Sequence, residues 1–296
     1  MDYFLAGNGA VLRYGVWPAE AGRDGAPVIL LQGRSEFLEK YAETIADLNR
    51  RGWDVFSFDW RGQGLSVEPQ RPKGYIASYD DYVRDLTDFI ERIVAPRFDP
   101  PYFFLAHSMG AHLFLRFARD RCAMIRRAVL VAPMISINSA PLPEWLLRWI
   151  TRSGLRLFGQ SAFLWGSRRR SLAHTRFTDN PYTSDRRRFA RLKRFLAEDP
   201  RLELPGIPFA WLAATFDSID RLNSCPASLS INRPLLIVSA GADRVVSLDA
   251  QEEFCARLAD CRRIVIAEAR HEVLIETDAV RARFWEAFDS FMGTGL

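Results

Sequence analysis

Short, almost unbroken apolar runs alternate along this chain with longer segments in which apolar residues recur every three or four positions. Val28-Ile29-Leu30-Leu31, Val55-Phe56-Ser57-Phe58 and residues 102–106, 128–132, 235–239 and 264–267 are runs of the first kind. An apolar run without polar alternation is what a strand buried on both sheet faces requires. Between the runs, residues 36–51, 79–94, 109–119, 248–259 and 278–292 read as helices; in 79–94, Tyr82, Leu86, Phe89, Ile90 and Ile93 share a face. Ser35, with acids at 36 and 39, suits a helix start, and Gly52 closes that helix. Upstream, the strand-like residues 3–6 and 10–17 flank Gly7-Asn8-Gly9, a tight-hairpin signal, and the polar residues 19–26 are a loop. Repeated strand–helix alternation predicts an α/β fold around a mostly parallel sheet covered on both faces.

Residues 135–230 break the rhythm. They hold several helix-like pieces, Pro and Gly punctuation and the aromatics Trp145, Trp149, Phe158, Phe163 and Trp165, without a repeated strand signal. The segment is expected to be a helical cap inserted into one core, whose two parts are residues 1–134 and 231–296. The 296 residues are 48% apolar and 26% charged, which excludes disorder and fibrous repeats. The formal net charge of +4 divides into +7 on residues 135–230 and −3 on the rest. This excess is too small to argue for a nucleic-acid partner. Only Lys40, Lys73 and Lys193 among 40 basic residues are lysines, the pattern of a GC-rich coding bias. Cys122, Cys225, Cys255 and Cys261 lack metal-ligand spacing, so free thiols in a reducing, cytoplasmic setting are expected. The N-terminal stretch does not read as a signal peptide, and no apolar run reaches the ~18 residues of a spanning helix.

The candidate chemistry starts at Ala106-His107-Ser108-Met109-Gly110, between an expected strand and an expected helix. A serine on such a turn stands clear of both elements, and the helix N-terminus beside it favours developing negative charge. The plain alternative is that Ser108 caps the helix. A nucleophilic serine needs a histidine base oriented by a carboxylate, and the histidines are His107, His112, His174 and His271. His107 would point away from its neighbour Ser108, His112 lies along the helix, and His174 is in the insertion. His271 follows the run 264–267, where a strand-end loop can present a base, and Asp243 follows the run 235–239. Ser108, Asp243 and His271 all lie past carboxyl ends of strands, the face where open α/β sheets build their sites. Read singly, Asp243 is an acid before a helix and His271 a cap.

Several segments together make the sequence resemble an α/β-hydrolase of the branch holding monoacylglycerol lipases and bacterial lysophospholipases. They are Gln32-Gly33-Arg34-Ser35-Glu36, Asp59-Trp60-Arg61-Gly62-Gln63-Gly64-Leu65-Ser66, Ser78-Tyr79-Asp80-Asp81-Tyr82, His107-Ser108-Met109-Gly110, Gly241-Ala242-Asp243 and Arg270-His271-Glu272. The resemblance implies an eight-stranded sheet and an inserted cap. It further implies Ser108 as nucleophile, His271 as general base and then acid, Asp243 as its orienting carboxylate, and the N–H groups of Arg34 and Met109 as the oxyanion hole. It implies no metal and no cofactor. Two departures stand out: Ala106 replaces the first glycine of G-x-S-x-G, and Gln32 replaces a histidine common in relatives. The loop 59–66 is expected to brace the oxyanion loop.

The resemblance points to a serine hydrolase of lipid-like monoesters, either lysophospholipid or monoacylglycerol. A short-chain carboxylesterase and an inactive binding module on the same fold are the alternatives. Leu142, Trp145, Leu146, Trp149 and Ile150 have helical spacing; they pack on the core or form a lipid-facing or acyl-lining surface, with Trp145 and Trp149 as the pocket candidates. Arg148, Arg152 and Arg156 flank them, and residues 168–170 and 186–188 are further arginine clusters. Their default is a solvated face, and their functional reading is contact with an anionic membrane surface.

Overall fold

The computed structural model describes residues 1–7, 9–20, 27–66, 68, 71–167, 171–224 and 231–293. Asn8 of the hairpin signal, most of the loop 19–26, Arg168–Arg170 and Cys225 lie outside the described residues. The strands are β1 (Asp2–Leu5), β2 (Val11–Trp17), β3 (Val28–Leu31), β4 (Val55–Phe58), β5 (Tyr102–His107), β6 (Ile125–Val131), β7 (Leu235–Ala240) and β8 (Cys261–Ile266). Among the described residues they make one eight-stranded sheet in the order β1-β2-β4-β3-β5-β6-β7-β8. β2 pairs antiparallel with β1 and β4, and all other neighbours are parallel. The expected α/β-hydrolase architecture is therefore present, with its inserted helical cap.

The period-2 geometry of a strand explains why the central runs are apolar throughout. On β3, Val28 and Leu30 join one core with α1 (Ala42–Arg50) and α8 (Asp278–Met292). Ile29 and Leu31 point the other way, into a core with α2 (Tyr79–Phe89), α3 (Met109–Arg121) and α7 (Leu248–Ala256). The cap supplies α4 (Glu144–Phe158), α5 (Arg186–Glu198) and α6 (Phe209–Ser224), between β6 and β7. α4 and α6 meet at Gly154, where a Cβ would come within 2.5 Å of the Phe209 ring.

Part of the cap's basic excess is spent on the body beneath it and much of the rest on acids of the cap itself. Buried Arg188 reaches Glu43 of α1, Asp185 and Asp278 of α8. Arg191 also meets Glu43 at 3.1 Å, Arg221 meets Asp80 at 2.7 Å, and Arg148 pairs with Glu144 and Asp220. Arg148 and Arg188 are thus structural, not members of a free basic face. The free-thiol expectation also needs correction. Cys255 and Cys261 form a disulfide, because the chain turns back after α7 and sets their Cα atoms 5.4 Å apart, a bridging distance. Cys122 is free.

Candidate active site

Four strand ends converge. Ser108 follows β5, Asp243 follows β7, His271 follows β8, and Arg34 lies in the loop after β3. Ser108 has φ +50° and ψ −113°, a region that side-chain-bearing residues rarely adopt. The turn is held by Ser108 N–H donating to the Val131 carbonyl and by the Met134 and His112 N–H groups donating to the Ser108 carbonyl. Gly110 permits it: a Cβ there would sit 2.4 Å from the Gln32 carbonyl oxygen. Ala106, two residues before the serine, is fully buried in β5.

The Ser108 hydroxyl donates to His271 Nε2 at 2.9 Å, and His271 Nδ1–H donates to Asp243 Oδ2 at 2.7 Å. The carboxylate can only accept, which fixes the proton on Nδ1 and leaves Nε2 free to take one from the serine. Burial opposes ionisation of Asp243. The His271 hydrogen bond and charge, with the Val245 and Val246 N–H groups on Oδ1, outweigh it and hold the carboxyl below its ordinary value.

Among the described residues, the backbone N–H groups of Arg34 and Met109 have no acceptor. Met109 opens α3, so its N–H is one of the donors a helix leaves unpaired. The loop carrying Arg34 is braced as expected. Trp60 Nε1–H donates to the Gln32 carbonyl at 2.8 Å, and the Ser35 and Leu38 N–H groups donate to the Gln63 and Asp59 side chains. Burial raises the Asp59 carboxyl to about 6 despite the Arg13 charge beside it.

Behind the same loop lies a buried network that the sequence reading missed. The Gly33 N–H and the Tyr41 hydroxyl donate to Glu36 Oε2, and Lys40 Nζ stands 2.6 Å from both Glu36 Oε1 and Glu272 Oε2. His107 Nε2–H donates to the His271 carbonyl at 3.1 Å, while its Nδ1 lies 3.0 Å from Glu36 Oε1. Both ring nitrogens thus lie beside oxygen atoms, a placement that favours a protonated ring. Burial opposes that charge, yet Glu36 and Glu272 outweigh it and raise the His107 pKa to about 9. Glu36, His107 and Glu272 are close enough to hold a metal ion. The Lys40 ammonium already bridges the two carboxylates, however, and the four side chains balance one another's charge. The available signal was Glu36 and Lys40 four residues apart, with Glu272 beside His271.

A cavity of about 390 Å³ opens over Ser108, Met109, His271 and Arg34, roofed by Leu147, Leu164, Leu192, Leu196 and Trp211 of the cap. Trp145 and Trp149 do not line it. They are 69% and 64% exposed on the outer face of α4, while Leu147 of that helix turns inward. The expected packing of their face on the core is likewise absent, because α4 meets α6 through Thr151 and Gly154. His112 is buried between the Met134 carbonyl and Ser218, with burial lowering its pKa to about 3. His174 sits in the cap with its side chain exposed.

Residues 23–278 match the sequence profile of a family described as serine aminopeptidase, S33. The chain is 29% identical over 267 residues to a probable lysophospholipase L2 of Haemophilus influenzae, covering 90% of this chain and 83% of the relative. It is 30% identical over 268 residues to lysophospholipase L2 of Escherichia coli K12, covering 86% and 76%. A soluble variant of the Saccharomyces cerevisiae monoglyceride lipase, solved with a substrate analog, superimposes with a TM-score of 0.78 at 22% identity, covering 98% of this chain and 93% of that one.

Proposed function

From its membership of the serine aminopeptidase S33 family of α/β-hydrolases, whose fold and relatives are those of serine hydrolases acting on esters, we propose that this chain hydrolyses lipid-like monoesters, a lysophospholipid or a monoacylglycerol, through an acyl-enzyme. The observation that carries this reading is the Ser108–His271–Asp243 chain of hydrogen bonds, at 2.9 and 2.7 Å, opening into a largely apolar cavity.

In the proposed mechanism the Ser108 hydroxyl attacks the ester carbonyl and His271 Nε2 takes its proton. Asp243 stabilises the imidazolium. The Arg34 and Met109 N–H groups receive the oxyanion, each such donor being worth about 3 kcal/mol of barrier. His271 then protonates the leaving alcohol and activates the water that releases the acid. His107, through the His271 carbonyl, and Glu36, through the Gly33 N–H, hold the base loop and the oxyanion loop together.

The test is an ester panel of short p-nitrophenyl esters, long-chain monoacylglycerols and lysophosphatidyl lipids, with an aminoacyl anilide for peptidase chemistry. Ser108→Ala should lower kcat by at least about 10⁴-fold. Full activity in that variant would sink the mechanism. Turnover of only the shortest esters would sink the lipid reading.

A second part of the proposal concerns the outer face of α4 and the segment after it. Trp145, Trp149, Leu157 and Phe158 are exposed there beside Arg152 and Arg156, next to Trp165, which also lines the cavity. Such an apolar patch with basic flanks suits the interface of an anionic bilayer. Co-sedimentation with phosphatidylglycerol vesicles should fall several-fold in a Trp145→Ser/Trp149→Ser double variant. Equal binding by the variant and the parent would remove this face from consideration.

A further inference from the structure

The five arginines buried outright among the described residues each have an acid, whereas half-buried Arg127, Arg233 and Arg270 donate to backbone carbonyls. Arg13 meets Glu39 and Asp59, Arg61 meets Asp85, Arg116 meets Asp80, Arg188 meets Glu43 and Asp278, and Arg281 meets Asp47. Arg34 has none. Its guanidinium donates to the Ser35 hydroxyl at 3.1 Å and to the Gly206 carbonyl, lies 4.4 Å from the centre of the Trp211 ring, and leaves Nε buried without a partner. Among the described residues no carboxylate oxygen comes within 4 Å of it. Burial, incompletely offset by the phenols of Tyr82, Tyr79 and Tyr182, lowers the Arg34 pKa. A cation held this way loses hydration without gaining a counter-charge.

Arg34 also lines the cavity that contains Ser108 and His271. Of the other charged groups there, Lys40 is bridged to Glu36 and Glu272 and Arg244 is exposed, while Glu203, whose Oε1 has no hydrogen-bond partner, lies 3.9 Å from His174. We propose that the Arg34 side chain is the specificity-determining group for an anionic headgroup, binding the phosphodiester of a lysophospholipid while the N–H of the same residue faces the scissile ester. The planar guanidinium fork matches two phosphate oxygens. In such a substrate only the glycerol backbone separates ester from phosphate, so one residue can serve both. This inference rests on the ester-hydrolase reading and decides between its two substrate classes.

The experiment compares kcat/KM for 1-palmitoyl-lysophosphatidylcholine and 1-palmitoylglycerol, both presented in one neutral detergent. Arg34→Gln should lower the lysophospholipid-to-monoacylglycerol ratio at least tenfold, and Arg34→Lys should recover part of it. A mere tether from Arg34 to Gly206 and Trp211 would affect both substrates equally, and equal losses overturn the proposal. So does a ratio that follows Arg244→Gln and ignores Arg34→Gln. Arg34-dependent inhibition of 1-palmitoylglycerol hydrolysis by inorganic phosphate would replace the headgroup assignment with a free-anion site; no such inhibition is expected. Calorimetric binding of the lysophospholipid to Ser108→Ala, with and without Arg34→Gln, separates this inference from the catalytic one. Tenfold weaker binding in the double variant supports the headgroup site even if the parent turns over neither lipid, and equal binding removes it even if both are hydrolysed.

Discussion

Gly33 and Arg34 are adjacent in the chain but belong to opposite electrostatic regimes. Around Gly33, Glu36 and Glu272 share Lys40 and His107, and each charge is met by another within about 4 Å. One residue on, Arg34 carries its charge into the cavity with a hydroxyl, a carbonyl and an indole around it. Buried charge that is paired and hydrogen-bonded organises structure, here by linking the loop after β3 to the loop after β8. Buried charge without a partner costs stability in the empty protein, a cost that an anionic ligand can offset.

The two regimes should respond oppositely to neutralisation. The largest effect is expected at Glu36→Gln, which leaves Lys40 and His107 with Glu272 alone. Breaking a buried pair of this kind costs about 3–5 kcal/mol, to be read as a lower urea midpoint at unchanged slope. His107 comes next. Its pKa is raised to about 9 in the folded protein, against about 6.5 unfolded. Its charged form therefore stabilises fully below about pH 6.5, progressively less up to 9, and not at all above. Glu36 is shifted the other way, downward, and its contribution persists across that range. Thermal midpoints should decline from pH 6.5 to 9.5, and His107→Gln should lack this part of the decline. The smallest stability change is expected at Arg34→Gln: less than about 1 kcal/mol, or a gain, because an unpaired cation is removed. If Arg34→Gln were more destabilising than Glu36→Gln, the contrast between the neighbouring residues would fail.

The sheet was readable where strands are buried on both faces and blurred where they are not. β3 and β4 fall on their expected residues because every position is buried, and the one polar residue, Ser57, satisfies its hydroxyl on the Leu30 carbonyl. β6 begins at Ile125 and β8 at Cys261, ahead of expectation, since Arg127, Arg262 and Arg263 interrupt the apolar run while still pairing along the sheet, and Arg126 falls at an irregularity in the β5–β6 register. The expected helix 36–51 divides into a 3₁₀ turn, Leu38–Tyr41, and α1, a distinction that periodicity does not carry. Ser108, Asp243 and His271 could be placed because each follows a strand end. Trp145 and Trp149 were assigned to the wrong side of α4. Helical spacing shows which residues share a face, not what that face meets. The Cys255–Cys261 bridge and the Glu36–Lys40–His107–Glu272 network depend on how turns and distant segments meet, which spacing alone did not disclose.

The left-handed backbone at Ser108 has a consequence for inheritance. A glycine at that codon would fit φ +50° and ψ −113° more comfortably than serine does, and it leaves untouched the hydrogen bonds that Val131, His112 and Met134 make with the main chain there. A single substitution can therefore silence the chemistry and leave a folded chain with its cavity intact. On the proposed mechanism, catalysis in this architecture is lost far more easily than shape, and a descendant that kept the fold would still need its residue 108 examined before being counted as an enzyme.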